Sequence, residues 1–264
     1  MEGPPVTLAS DRLTSELSNL LGDTDPSGVV MAFDGDGTLW SGDVGEDLFR
    51  AAMRDEFLTE DALPALLDEA ERYGVPLSSS VNANVVARTL MAAYLAGQYP
   101  ERETCAMMAW CYAGRSLADV QALATSVLEE EDFAERLHAE LTPILAWSRQ
   151  HGVRSVLISA SPRVVVQPAG AFRGFAPADI AAATPAIEDG RVKPRLAGPV
   201  PYAEAKLSAG RGLFGDARWL AAFGDNVFDI DMLTTAELGI AVRPKPKLAA
   251  ELGALGLRLL ARQP

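Results

Sequence analysis

The segment Val29-Val30-Met31-Ala32-Phe33-Asp34-Gly35-Asp36-Gly37-Thr38-Leu39 decides the fold of this chain of 264 residues. It begins with a short apolar run of β-branched and bulky side chains, which predicts a buried strand. Two carboxylates, Asp34 and Asp36, follow the run and point to the same side of an extended backbone. Ligands of open parallel sheets bind at the carboxyl ends of the strands. The segment therefore predicts a functional site in which a cation or a shared proton compensates two neighbouring acids.

The composition indicates an acidic globular protein. Hydrophobic residues make up 48% of the chain, which is enough for a core, and 36 acidic against 23 basic residues give a net charge of −13. Because there is no Lys/Arg-rich run, we expect neither nucleic acid nor an anionic membrane as a partner. We see no signal-peptide pattern and no apolar run of membrane length, so we expect a cytoplasmic protein with no obligate protein partner. The spacing of Cys105 and Cys111 fits no zinc or redox motif and predicts two buried thiols.

The pattern of helices and strands divides the chain into an interrupted α/β core and a helical insert. Residues 28–44 and 148–264 alternate apolar runs with helical segments, which predicts a Rossmann-like parallel sheet covered by helices on both faces. Residues 45–147 predict helices only, so we expect an all-helical domain inserted after the first strand. Residues 1–27 form an N-terminal extension with an amphipathic helix, and Ser10 is expected at its capped start.

Five apolar runs are expected to form the strands of the core sheet. A further segment with an Asp-Gly turn predicts a hairpin over Ile187–Val192. The five expected strands are Val29–Phe33, Val153–Ile158, Ile180–Thr184, Trp219–Phe223 and Gly239–Val242.

Polar and charged side chains follow three of these strands directly, namely Val29–Phe33, Val153–Ile158 and Trp219–Phe223. Lys206 lies in the chain between the second and the third. Since the carboxyl ends of parallel strands share one edge of the sheet, we expect these side chains to converge there. They belong to Asp34, Asp36, Ser159, Lys206, Asp225, Asn226 and Asp229.

This set of residue types is what phosphate monoester hydrolysis requires. The uncatalysed reaction is so slow that accelerations of up to ~10²¹ are needed. A carboxylate nucleophile divides the reaction into formation and hydrolysis of an aspartyl-phosphate. Mg²⁺ and a lysine neutralise the phosphate, while a hydroxyl and backbone amides hold its oxygens. A second carboxylate transfers protons to the leaving group and from water.

The chain resembles the phosphatase branch of the haloacid dehalogenase superfamily. Its four motifs occur in the family's order, and each stands at the expected place relative to the predicted strands. The matching residues are Asp34, Asp36, Gly37 and Thr38 in the first motif, Ser159 in the second, Lys206 in the third, and Asp225 and Asp229 in the fourth.

The resemblance implies a role for each acid. Asp34 would be the nucleophile and a Mg²⁺ ligand. Asp36 would be the general acid and base, and would bind Mg²⁺ through its backbone carbonyl. Asp225 would complete the protein ligands, while Asp229 would orient metal-bound water and the motif lysine.

The resemblance also implies a phosphate-binding group and a cap. Ser159, the amide of Ala160, and Lys206 would hold the phosphoryl oxygens. The helical insert matches, by position and helicity, the family's cap, which closes over the site and selects the substrate.

Within the superfamily, the chain is similar to the phosphoserine phosphatases. The similarity lies in Ser159-Ala160-Ser161, in the Asp189-Gly190 hairpin and in Ile240-Ala241-Val242. That group usually carries Asn immediately before the last motif aspartate, where this chain has Phe228. Asn226 is the candidate to replace it.

The residues just after the first motif are candidates for substrate selection. Asp43, Glu46 and Trp40 could hold a substrate ammonium, the last through a cation–π contact. The alternative is that these acids complement the dipole of a helix N-terminus. Arg88 could reach a substrate carboxylate, and its alternative is a structural ion pair.

We therefore predict a Mg²⁺-dependent phosphomonoester hydrolase for a small phosphorylated metabolite, including amine-bearing ones such as phosphoserine or phosphocholine. A phosphotransferase or phosphomutase would share every core motif. A non-enzymatic binding protein on the same scaffold is a further alternative, which the intact motifs disfavour.

Overall fold

A computed structural model describes residues 6–79 and 81–263, which form a parallel sheet surrounded by helices. Seven strands of the described residues pair in the order β1-β9-β8-β7-β2-β3-β4, and a separate antiparallel hairpin joins β5 to β6. The strands are β1 (Thr7–Leu8), β2 (Val29–Phe33), β3 (Arg154–Pro162), β4 (Ile180–Ala183), β5 (Pro185–Glu188), β6 (Arg191–Leu196), β7 (Arg218–Gly224), β8 (Leu238–Val242) and β9 (Arg258–Leu260).

The predicted α/β fold class is confirmed, and all five expected core strands are present with small shifts at their ends. The hairpin predicted at the Asp-Gly turn is also present. The sequence did not indicate β1 and β9, which pair with each other at one edge of the sheet. These strands have two and three residues, too few to show an apolar period.

The chain between β2 and β3 is helical, as predicted. Within the described residues it holds six α-helices and no strand. The six are α2 to α7 of the list below.

The α-helices of all the described residues are α1 (Ser10–Leu21), α2 (Val44–Arg54), α3 (Leu63–Arg72), α4 (Ala83–Leu95), α5 (Glu101–Trp110), α6 (Leu117–Glu130), α7 (Thr142–Gln150), α8 (Arg163–Ala171), α9 (Ala205–Phe214), α10 (Ile230–Thr235) and α11 (Pro246–Glu251). None of these helices has the length and apolar character needed to cross a membrane.

The N-terminal segment packs against the α/β layers. Its strand β1 extends the sheet through β9, and α1 lies against α7. The predicted cap of α1 is wrong: Ala9 is the N-cap residue, and the hydroxyl of Ser10 instead donates to the carbonyl of Glu140 at 2.8 Å. The proposed division of the chain stays a prediction, since its boundary at residue 147 falls inside α7 and residues 1–5 lie outside the described ranges.

The two segments that connect the helical insert to the core lie side by side. Trp40 and Leu137 form an antiparallel bridge. The amide of Ser41 donates to the carbonyl of Arg136 at 2.9 Å, and the guanidinium of Arg136 donates back to the carbonyl of Ser41 at 2.8 Å. Arg136 also pairs with buried Asp47 at 2.6 Å. The chain therefore enters and leaves the insert beside the carboxyl end of β2.

Candidate active site

The carboxyl ends of β2, β3 and β7 meet at one cavity of about 70 Å³. The ladder between β2 and β7 continues past the strand, because the amide of Asp34 donates to the carbonyl of Phe223 at 2.9 Å. The rings of Phe33 and Phe223 stack at 4.4 Å beneath it. This apolar floor fixes the position of the first motif. A larger groove of about 570 Å³ lies between α1, α7 and the C-terminal segment, away from these acids.

Asp34 is paired with a buried lysine. The Nζ of Lys206 lies 2.6 Å from Oδ1 of Asp34 and also donates to Asp229. Burial raises the pKa of Asp34 to about 7, although the charge of Lys206 opposes the rise. Burial lowers the pKa of Lys206, but the two carboxylates outweigh it and hold that pKa above its usual value. The lysine is therefore a fixed positive charge beside the predicted nucleophile.

Asp36 is held by three donors of its own. Its Oδ1 accepts from Nε1 of Trp40 and from the amide of Val44, both at 2.8 Å, and its Oδ2 accepts from the hydroxyl of Ser161 at 2.7 Å. Burial and the nearby charge of Asp43 raise the pKa of Asp36 to about 7. A carboxyl group with this pKa can both donate and accept a proton near neutral pH.

The structure corrects the cation–π role expected for Trp40. The indole is fully buried and packs against Phe133 with ring centroids 5.3 Å apart. No face of the ring is left for a substrate ammonium. Trp40 does not line the cavity and instead holds Asp36 through the hydrogen bond from Nε1.

The fourth motif forms a tight loop around Asp229. Its Oδ2 accepts from the amides of Asp225 at 3.1 Å and Asn226 at 2.9 Å, while its Oδ1 accepts from Lys206. Burial, Asp34 and Asp229 raise the pKa of Asp225 to about 8. In the described residues, the cation nearest to the Asp225 carboxylate is Lys245, whose Nζ lies 3.5 Å from Oδ2.

The residues at the strand ends fit a hard divalent cation. Carboxylate oxygens of Asp34, Asp225 and Asp229 lie within 4.8 Å of one another. Both oxygens of Asp229 already accept hydrogen bonds, so Asp34 and Asp225 are the better candidates for direct ligands. Gly37 has a φ of +80°, and a Cβ there would overlap Oδ2 of Asp225. The glycine thus leaves room for the carboxylate, and oxygen ligands are those that Mg²⁺ prefers.

The predicted phosphate-binding residues lie together in the cavity wall. Ser159, Ala160 and Lys206 all line it. The hydroxyl of Ser159 is buried and accepts from the amide of Ser161 at 3.1 Å. Asn226, a candidate to replace the usual asparagine, also lines the cavity, although its Oδ1 caps the amide of Val227. The roles of these residues stay predictions.

The substrate candidates do not all reach the cavity. Asp43 lines it and also caps α2 by accepting from the amide of Glu46 at 2.8 Å, so the ligand and capping interpretations both apply. Glu46 is half-buried and does not line the cavity. Arg88 is exposed, donates to the carbonyl of Met53 and lies 3.9 Å from Glu56. The structure therefore supports the structural role for Arg88 rather than substrate binding.

Sequence reasoning missed several residues of the cavity. Helix α5 contributes Glu101 and Cys105, the latter half-buried rather than buried as expected. Tyr202 and Phe228 form a tilted ring pair at 4.5 Å, and Lys245 completes this side. No local pattern marks these positions, since they approach the strand ends from other parts of the chain. Of these residues, the sequence had drawn attention only to Phe228, as a departure from the usual asparagine before Asp229, and not as part of the cavity wall.

Comparison with known families agrees with this geometry. The family described as haloacid dehalogenase-like hydrolase matches residues 31–234, which is most of the chain. The chain belongs to this family. The resemblance predicted from the motifs is therefore confirmed, and the chain is an enzyme of the hydrolase class. No curated protein matches the sequence significantly.

Solved structures show the same fold at low sequence identity. A protein of unknown function from Bordetella pertussis Tohama I is 20% identical, with 88% of this chain and 97% of that chain covered and a TM-score of 0.66. A substrate-bound phosphoserine phosphatase is 15% identical, with 89% and 93% covered and a TM-score of 0.51. Cytosolic 5′-nucleotidase IIIB with bound cytidine is 13% identical, with 96% and 85% covered and a TM-score of 0.55.

Proposed function

We propose that this protein is a Mg²⁺-dependent phosphomonoester hydrolase that acts on a small phosphorylated metabolite through an aspartyl-phosphate. One observation carries the proposal: two carboxylates one residue apart have separate partners. Asp34 pairs with Lys206 at 2.6 Å, and Asp36 is held by Trp40, Val44 and Ser161. Each acid can therefore take a different role in the same reaction.

In the first step, Asp34 is the nucleophile. Its Oδ2 attacks phosphorus, the bond from phosphorus to the ester oxygen breaks, and Asp36 gives its proton to that oxygen. Lys206 supplies positive charge at the attacking carboxylate. Ser159 and the amide of Ala160 line the space for the phosphoryl oxygens. Mg²⁺ held by Asp34, Asp225 and the carbonyl of Asp36 supplies further charge neutralisation when bound.

In the second step, Asp36 acts as a base. It accepts a proton from water, whose oxygen attacks phosphorus and releases phosphate and the carboxylate of Asp34. A pKa of about 7 for Asp36 suits both halves of the cycle, since the group changes protonation state without a large penalty.

The size of the cavity supports a small substrate. Its volume of about 70 Å³ and the wall contributed by α5 of the insert favour a metabolite over a protein or nucleic-acid chain. Asp43 adds a carboxylate whose pKa is raised to about 6 by burial, which favours a substrate with a compensating ammonium group. Phosphoserine and phosphocholine are such substrates, and the phosphoserine phosphatase named above acts through the same fold. We also propose that the protein works in the cytoplasm.

A metabolite screen tests the proposal. The purified chain is incubated with Mg²⁺ and a panel of phosphoserine, phosphoethanolamine, phosphocholine, sugar phosphates and an aryl phosphate, and released phosphate is measured. We expect release that stops when a chelator is added and returns with Mg²⁺. Transfer of the phosphoryl group to an added alcohol or sugar instead of water would identify a transferase, and no turnover on any member would contradict the proposal.

A further inference from the structure

Lys245 lies at the edge of the cavity, beside a carboxylate that faces the proposed metal site. Its backbone N–H donates to the carbonyl of Asp225 at 2.8 Å, and its Nζ lies 3.5 Å from Oδ2 of the same residue. The backbone contact fixes the turn after β8. The side-chain contact places a positive charge next to the carboxylate. The two reaction steps described above make no use of this lysine.

The surroundings of Lys245 keep its side chain charged and directed to the site. Burial lowers its pKa, but the carboxylates of Asp225, Asp34 and Glu101 outweigh this effect and raise it overall. The side chain of Lys245 is 57% exposed, whereas that of Asp225 is only 4% exposed. The lysine therefore reaches from solvent to a buried acid that has no other cation within salt-bridge distance in the described residues.

We propose that Lys245 is a shared electrostatic partner of both charged ligands of the site: it opposes divalent-cation binding at Asp225 and attracts the phosphoryl group. This inference rests on the proposed function, because it assigns a role within the same cavity. Lys245 acts on the metal through the carboxylate of Asp225, and it is a second lysine, besides Lys206, in the lining of the cavity.

The signs of the two effects follow from Coulomb's law. An ammonium and a divalent cation that share one carboxylate repel each other, so the lysine weakens metal binding. A phosphoryl dianion in the same cavity is attracted by the ammonium, so the lysine strengthens substrate binding. Because more than half of the side chain is exposed, solvent and salt screen both effects to a few-fold.

Direct binding measurements without turnover test this inference. Calorimetry measures the affinity for Mg²⁺ alone and then the affinity for inorganic phosphate at saturating Mg²⁺. For Lys245→Gln we expect Mg²⁺ to bind about 2–5-fold more tightly and phosphate about 2–5-fold more weakly, with both differences reduced at high salt. The backbone contact remains in this variant, so the turn is retained.

Two further variants separate charge from shape. Lys245→Arg keeps the charge and should bind both ligands like the natural protein. Lys247→Gln removes an exposed lysine of α11 that does not line the cavity, and should change neither affinity.

The outcomes distinguish this inference from the function on which it rests. If the natural protein binds Mg²⁺ and phosphate but Lys245→Gln shows no opposite shifts in the two affinities, the role of Lys245 is overturned and the proposed function stands. If the natural protein does not bind Mg²⁺ at all, both are overturned.

Discussion

Nε1 of Trp40 donates a hydrogen bond of 2.8 Å to Oδ1 of Asp36, from a ring that is fully buried. The contact joins the proposed proton donor to the segment through which the chain enters the helical insert. The indole does not line the cavity, and this hydrogen bond connects it to Asp36. Trp40 therefore serves the orientation of this carboxyl group and not the binding of substrate.

Trp40→Phe removes this hydrogen bond and keeps an aromatic ring in the core. We expect kcat to fall about 10-fold, the equivalent of one hydrogen bond to a charged group. Because the lost bond favoured the charged form, the pKa of Asp36 in the pH–rate profile should rise. Trp147→Phe is the matched control, since its Nε1 donates at 2.8 Å to Ser18, far from the site. Equal effects of the two variants would contradict this role.

Asp34→Asn should abolish turnover while the fold is retained. The amide cannot form the acyl phosphate, so we expect kcat to fall by more than about 1,000-fold. Circular dichroism and thermal unfolding should stay close to those of the natural protein. Asp231→Asn, a change of an exposed acid on α10, is the control for mutagenesis in this region. Substantial phosphate release by Asp34→Asn would exclude Asp34 as the nucleophile.

Asp43→Asn separates two effects of one charge. Asparagine also caps a helix, so α2 should remain intact. Since Asp43 raises the pKa of Asp36, that pKa should fall in the pH–rate profile. For an amine-bearing substrate, kcat/KM should fall about 10-fold, with a smaller change for an aryl phosphate. Glu46→Gln, outside the cavity, is the control, and an equal loss on both substrates would argue against ammonium recognition.

Stability of the metal-free protein should fall as the pH rises. Asp225 has a pKa of about 8 when folded, against 3.8 as the ordinary value, so between these values the folded state holds a proton that the unfolded state has lost. The free energy of unfolding therefore decreases with pH across this window. Thermal unfolding from about pH 5 to about pH 8 measures this, and Mg²⁺ should stabilise most at the upper end.

Asp225→Asn provides the control for this pH dependence. It should reduce the decline, of which Asp34 and Asp36 with pKa values of about 7 contribute the rest. It should also lose the stabilisation by Mg²⁺, because one of the proposed ligands is gone. A metal-free protein whose unfolding temperature rises steadily from about pH 5 to about pH 8 would contradict the assignment.

Arg88→Gln should leave KM unchanged for every substrate. The guanidinium contacts a backbone carbonyl and an exposed acid, so its loss should change the free energy of unfolding by no more than about 1 kcal/mol. Arg136→Gln removes one of the two arginines that pair with buried Asp47, the other being Arg50, and should cost about 2 kcal/mol. Denaturant unfolding compares the two. A raised KM in Arg88→Gln alone would restore the substrate role predicted from sequence.

The central strands and the core motifs could be predicted because burial and chemistry leave local patterns. A strand covered on both faces, such as Val29–Phe33, must be apolar throughout. The outermost strand β1 and its neighbour β9 are too short to show an apolar period and were missed. Trp40 was ambiguous for a related reason: an aromatic residue beside acids is equally compatible with a ligand site and with a buried donor. Only tertiary packing decides between them.

The cavity wall contributed by other elements could not be predicted. Glu101, Tyr202 and Lys245 reach the strand ends from α5, from the turn before α9 and from the turn after β8. Glu101 reaches the cavity through the packing of the insert on the sheet, whereas Tyr202 and Lys245 reach it through loops of the core, and no periodicity within one element encodes either arrangement.

Gly37 matters to the site because it has no side chain. The carboxylate of Asp225 occupies the place that a β-carbon would take, so the residue contributes vacant volume and no functional group. A single methyl group there would displace the carboxylate without altering any charge in the cavity. The position of the Asp225 carboxylate therefore depends on the absence of a β-carbon at residue 37.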